Sequence, residues 1–263
     1  GKPLKISLPY SGAFVGFQVF EEIFKNREFW LALRNTLMLN LLDLLVGFPF
    51  PILLALLLNE VRHPRFKRVS QTVLYLPHFL SWVIIAGIMY QLLAPHSGLV
   101  NVLIKHMGGQ PARFLTTNVN WVISYTLIGV WQNMGWGSII YLSAISSISP
   151  ELYEAATMDG AGRLRKILSV TLPCIRATIV IMLIMQLGRM MNSGLERARS
   201  LGNVMVRDMY YVLSIFVQEK GLASLPPKYN IATAAGMFQG VVGLLLVLLA
   251  DTFSKRIGED GLL

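Results

Sequence analysis

The residues whose types and spacing carry the clearest chemistry lie together between positions 149 and 173. They read Ser149-Pro150-Glu151-Leu152-Tyr153-Glu154-Ala155-Ala156-Thr157-Met158-Asp159-Gly160-Ala161-Gly162-Arg163, then Leu164 to Ser169, then Val170-Thr171-Leu172-Pro173. The chemistry is recognition rather than bond-making. Ser149 is suited to cap a helix, Pro150 to its first position, and Glu151 and Glu154 to the positive end of its dipole. Gly160 and Gly162 stop that helix, while Ala155 and Ala156 give it a surface small enough to sit in a partner's groove. A second short helix follows, and Pro173 is expected to end it. On residue types alone, the same segment also fits an amphipathic helix lying among lipid headgroups.

A second group consists of polar and aromatic residues inside apolar blocks: Trp131, Gln132, Asn133, Trp136 and Tyr141 in one, Gln186, Arg189 and Asn192 in the next, and Gln239 in the last. Such groups are costly in a membrane unless they face a partner or a watery cavity. Aromatic faces and amides suit sugars, through stacking on C–H faces and hydrogen bonds to hydroxyls, and Arg189 could meet a uronate carboxylate. Trp131, Asn133, Trp136, Gln186, Arg189 and Gln239 are therefore candidates for a substrate path. The alternative is that the amides tie helices together and the tryptophans anchor at the interface. Asp43 and Arg34 are open between an interhelical pair and residues near the ends of a span.

Other chemistry is excluded by what the chain lacks. The four histidines, His63, His78, His96 and His106, are scattered, and no His-Glu-x-x-His or Gly-x-Ser-x-Gly occurs. There is no phosphate-binding Gly-x-x-x-x-Gly-Lys loop. The single cysteine, Cys174, rules out an intrachain disulfide and a cysteine metal cluster.

The elements that must position these residues are membrane helices. The 263 residues are 54% hydrophobic and only 14% charged, with a mean hydropathy of +0.56. Five blocks approach the roughly 20 apolar residues that a helix needs to cross the hydrocarbon. They run about Trp30 to Leu58, Val73 to Ala94, Trp121 to Ile145, Ile175 to Met191, and Ala232 to Phe253. The net charge of +9 lies between these blocks, with no basic stripe for nucleic acid. Placing Arg62, Arg65, Lys67 and Arg68 inside also puts residues 149–173 and the tail Lys255-Arg256 inside. With Arg176, that gives ten basic residues inside and eleven outside, the inner ten over a shorter length of chain. The start is then outside, and a further span before Gly1 is expected. No signal peptide is visible at Gly1-Lys2-Pro3-Leu4-Lys5.

Glu154-Ala155-Ala156, Asp159-Gly160-Ala161 and Leu172-Pro173 stand at the spacing of the "EAA" signature of binding-protein-dependent ABC importer permeases, which the chain resembles. Phe14-Val15-Gly16-Phe17, Phe29-Trp30 and Asn35-Thr36 are similar to the entry to that family's second span. Leu76-Pro77 and Gly258-Glu259-Asp260-Gly261 resemble its oligosaccharide and polysaccharide branch, which includes alginate importers. Ile167 departs from the usual aromatic and Ala177 from a common second proline.

The resemblance implies an all-α integral membrane protein, a type I ABC importer transmembrane domain filling 1–263. Residues 1–29 would be a periplasmic entry, 149–173 the cytoplasmic coupling segment and 193–230, with Pro226-Pro227, a periplasmic loop open between touching a substrate-binding protein and forming a short scoop helix. Glu154, Ala155, Ala156, Asp159, Gly160 and Ala161 would dock on the ATPase. The implied partners are two ATP-binding-cassette subunits, which would hold ATP and magnesium, a second similar permease, a substrate-binding protein and membrane lipid, with no cofactor in this chain. The implied location is the bacterial cytoplasmic membrane, with the C-terminus inside. A secondary transporter or channel would explain the spans but not the Ala-Ala-x-x-Asp-Gly-Ala turn.

Overall fold

The computed structural model describes residues 17–256. Phe14-Val15-Gly16 of the entry motif and the C-terminal Gly258-Glu259-Asp260-Gly261 lie outside the described residues. A short amphipathic helix, α1 (Gln18–Lys25), leads to Asn26, whose side chain accepts from the Glu28 amide at 2.8 Å and caps α2 (Arg27–Leu42). A π-turn at Asp43–Gly47 joins α2 to α3 (Pro49–Glu60). There the Phe48 amide reaches back five residues to the Asp43 carbonyl at 2.9 Å, just before Pro49, which has no N–H to donate. The result is a 34-residue helix, Arg27–Glu60, long and apolar enough to cross a membrane.

The second block is not the single span expected over Val73 to Ala94. Helix α4 (Pro64–Tyr75) starts inside the basic link and tightens into a 3-10 turn at Leu76–Phe79 around Pro77. Ser81 then leaves the helix and caps α5 (Trp82–Leu92), accepting from the Ile84 amide at 3.4 Å. The two pieces differ in direction by 102°. Beyond α6 (Leu99–His106), α7 (Asn118–Ser146) runs 29 residues, about 43 Å at the α-helical rise. Its polar residues leave it less apolar than the two helices that qualify outright. It crosses α4 so closely at Gly135 that a methyl group there would stand 2.0 Å from the Leu74 carbonyl oxygen.

Helix α8 (Pro150–Met158) is followed by α9 (Arg163–Lys166), a π-turn at Ile167–Thr171 and α10 (Leu172–Cys174). Pro173 does not end this helix, as the sequence suggested. The π-turn pairs the Leu172 amide with the Ile167 carbonyl, the same device used before Pro49, and the chain continues to Cys174. The break falls at Ile175, where the direction changes by 62° into α11 (Arg176–Arg189).

Residues 193–230 are largely helical. They form α12 (Leu195–Leu201), a 3-10 turn at Val204–Val206, α13 (Arg207–Tyr210), α14 (Leu213–Gln218) and a π-turn at Glu219–Ala223. Ala198, Leu201, Val206, Tyr211, Leu213 and Phe216 are buried in the larger of two cores. The last helix, α15 (Tyr229–Arg256), is the second that qualifies as a span.

A polar stripe on the first span receives the folded segment. Asn35 Nδ2 donates to the Asp208 and Tyr211 carbonyls at 2.8 and 3.0 Å, and Thr36 Oγ1 accepts from the Leu213 amide at 2.8 Å. Further along the same face, Ser193 donates to Asn40 and Arg197 to Asp43. Positions 36, 40 and 43 repeat at helical spacing, so one face meets all of these partners.

Candidate functional site

The six expected docking residues fall on one helix end and its turn. Ser149 Oγ accepts from the Glu151 amide at 3.4 Å, with Pro150 in the first turn. At the other end the Ala161 amide donates to the Ala156 carbonyl at 2.9 Å and the Gly160 amide to the Thr157 carbonyl at 3.0 Å. Those two bonds are a Schellman closure, which needs a left-handed residue just past the cap. Gly160 supplies it at φ +74. Glu154, Ala155, Asp159 and Gly160 are exposed, with Ala156 and Ala161 half-buried. Leu152, Met158, Leu164 and Leu168 are exposed around the same turn. A small-residue surface flanked by apolar side chains is what a docking helix presents to a groove.

Tyr153 and Thr171 join this element to the next. Their hydroxyls lie 3.0 Å apart, so α8 is tied to the π-turn that precedes the bend at Ile175. Sequence reasoning did not single out this pair; two hydroxyls 18 positions apart give no periodic signal.

The path candidates divide. Asn133 and Trp136 are exposed on one side of α7, with Ile140. Asn133 Nδ2 donates to the Gly129 carbonyl of its own helix at 3.0 Å. Trp136 keeps 46% of its surface exposed. Its ring stacks on His78 with centroids 4.8 Å apart and planes 2° apart, and meets the Phe79 edge at 5.6 Å. The break in the second block thus holds the indole in place. Trp131 packs against the larger core, Gln186 is half-buried, and Arg189 is exposed at the end of α11. Gln239 is buried, and its amide nitrogen donates to the Met191 carbonyl at 2.7 Å and contacts Ser214 Oγ at 3.4 Å. It ties α15 to the end of α11.

The two charged residues left open by the sequence do not pair with each other. Arg34 binds Asn35 Oδ1 and the Asp208 carbonyl, both at 3.0 Å. Asp43 makes an interhelical pair with Arg197, a partner that sequence reasoning did not name.

A bundle of apolar helices with a capped helix–turn standing out at one end, and an amide–indole stripe part-way along its longest buried helix, defines the transmembrane part of a multi-pass transporter. The chain belongs to the family described as binding-protein-dependent transport system inner membrane component, which matches residues 47–197. It is 43% identical over 248 residues to the polygalacturonan/rhamnogalacturonan transport system permease protein YteP of Bacillus subtilis (strain 168), covering 94% of this chain and 77% of that protein. Protein LplB of the same organism is 39% identical over 259 residues, covering 97% and 80%.

One solved structure, a bacterial alginate ABC transporter in complex with an alginate pentasaccharide-bound periplasmic protein, superposes with a TM-score of 0.89 at 41% identity. The match covers 94% of this chain and 85% of that one. A second, a bacterial ABC transporter involved in the import of the acidic polysaccharide alginate, matches with the same score and identity, covering 94% and 86%. The expected all-helical ABC importer permease fold is therefore the fold of this chain, a transport component of the inner membrane.

Proposed function

We propose that this permease forms half of the translocation path for a sugar oligomer, an acidic polysaccharide fragment such as alginate foremost. The observation that carries the proposal is the Schellman-closed turn at Gly160, exposed where an ATPase would dock. The likeness to alginate transporters and to a polygalacturonan/rhamnogalacturonan permease supports the cargo. Two ATP-binding-cassette subunits hold the ATP and magnesium. A second, similar permease completes the path, and a periplasmic binding protein delivers cargo against residues 193–230. The coupling segment and the C-terminus face the cytoplasm. Closure of the ATPases pulls on α8, the Tyr153–Thr171 tie passes the pull to the bend at Ile175, and α11 shifts between outward- and inward-open arrangements.

Purification of the tagged permease from its native membrane tests this. Co-isolation of an ATPase and a second permease is expected; a lone homo-oligomer that transports without ATP would support a secondary transporter instead. Within the path, Trp136→Ala should lower uptake by about two- to tenfold, the size of one lost aromatic stacking contact. Trp136→Phe should retain most of it. Equal uptake by wild type and Trp136→Ala would remove the indole from the path.

A further inference from the structure

Among the described contacts of residues 191–213 with the first span are two ion pairs, Arg207 with Glu28 and Arg197 with Asp43, and the second is the more enclosed. The Arg197 guanidinium donates to the Asp43 carboxylate, and the two side chains keep only 8% and 19% of their surface exposed. The guanidinium carbon lies 3.8 Å from the centre of the Tyr125 ring and 5.6 Å from that of Trp82. Gly129 leaves the room on the remaining side, because a methyl group there would stand 1.7 Å from Arg197 Nη1. A single side chain on α12 thus touches the first span, the start of α5 and the first half of α7. Asp43 stands 16 residues (43 − 27) into the helix Arg27–Glu60, about 24 Å along its axis, so α12 reaches to roughly its middle.

A segment seated this way is either a lid that lifts in each cycle or a fixed part of the wall. The cage decides between them. Parting Arg197 from Asp43 would leave two uncompensated charges in a medium of low polarity. The aromatic faces and the Gly129 gap fit the guanidinium in one place only. Neighbouring contacts, Ser193 with Asn40 and Thr36 with the Leu213 amide, hold the same face. The regular helical ladder of the span gives way to the π-turn at Asp43 itself, so the pair is made where the span departs from the regular helix.

We propose that Arg197 is a positioning residue that keeps residues 193–213 fixed to the first span throughout the transport cycle, moving with α2, α5 and α7 as one body. The path then opens elsewhere. The inference rests on the chain acting as an ATP-driven permease but not on the identity of its cargo.

The test uses the assembled transporter with Cys174→Ser, Asn40→Cys and Ser193→Cys. Oxidation should form a disulfide, verified by mass, and uptake should stay within about twofold of the reduced protein. Uptake that stops on oxidation and returns on reduction would overturn the proposal in favour of a lid. Failure to cross-link would overturn the contact itself. Separately, Arg197→Gln should lower substrate moved per ATP hydrolysed by about tenfold with the amount of assembled complex unchanged. Adding Asp43→Asn should recover much of that loss by removing the lone carboxylate. Uptake, ATP hydrolysis and assembly that fall in parallel in Arg197→Gln would show a merely structural role. If the unmodified transporter shows no ATP-driven uptake, it is the proposed function that fails.

Discussion

Gly160→Val should abolish transport while leaving the permease folded and assembled. The left-handed conformation at Gly160, φ +74, costs a side-chain-bearing residue about 1–2 kcal/mol, and a β-branched one the most. That strain alone would fray the Schellman closure that holds Ala161 under α8. No atom of this chain lies within 4 Å of where a Cβ would stand, so the added bulk projects outward onto the docking face. Nothing inside the bundle has to move. Uptake in reconstituted vesicles should fall more than tenfold, equivalent to about 1.4 kcal/mol or more, while ATP hydrolysis continues without moving substrate. Gly160→Ala should lie between. Wild-type uptake by an intact Gly160→Val complex would mean that this turn does not dock on the ATPase.

Gly135→Ala is expected to act in the opposite way, on the fold rather than on coupling. A Cβ at 135 would lie 2.0 Å from the Leu74 oxygen, 2.5 Å from the Leu74 carbonyl carbon and 3.1 Å from the Tyr75 nitrogen. All three are backbone atoms that cannot rotate away, so α7 and α4 must separate. Overpacking of this kind costs about 1–3 kcal/mol, a large share of the stability of a typical domain. Membrane accumulation and the thermal unfolding midpoint in detergent should both drop. Gly240→Ala is the control, since nothing lies within 4 Å of the added methyl. Equal midpoints for Gly135→Ala and Gly240→Ala would show that the close crossing does not constrain the bundle.

How much of this was legible in the sequence depends on the range of each signal. Capping and turn residues act within a few positions, so Ser149, Pro150 and Gly160 placed α8 and its turn from local chemistry alone. Apolar blocks marked the first span, α7 and α15 for the same reason. The 102° turn in the second block was hidden because hydrophobicity records composition, not direction. The local clue was there: Pro77 followed by Ser81, a serine able to cap a new helix inside an apolar run. Pro173 misled in the other direction, since a π-turn lets the helix carry a proline without ending.

The polar stripe Asn35, Thr36, Asn40 and Asp43 shows the limit more sharply. Its spacing was visible, but its partners lie 153 to 177 positions away, and no periodicity names them. Gln239 illustrates the same ambiguity within the path candidates: an amide inside a span reads alike whether it meets a sugar or a neighbouring carbonyl. Here its nitrogen is engaged by Met191. Asn133 and Trp136 differ from it by standing exposed on α7.

The bend at Ile175 makes the protein a built-in spectroscopic instrument. Cys174, its sole thiol, is exposed and sits one residue before the 62° change of direction. A thiol-reactive spin label or fluorophore will therefore attach to this chain at a single place without any engineered substitution. That place lies on the route between the helix proposed to meet the ATPase and the span that follows. Label mobility or emission recorded through nucleotide addition and hydrolysis would time the arrival of each stroke at the membrane.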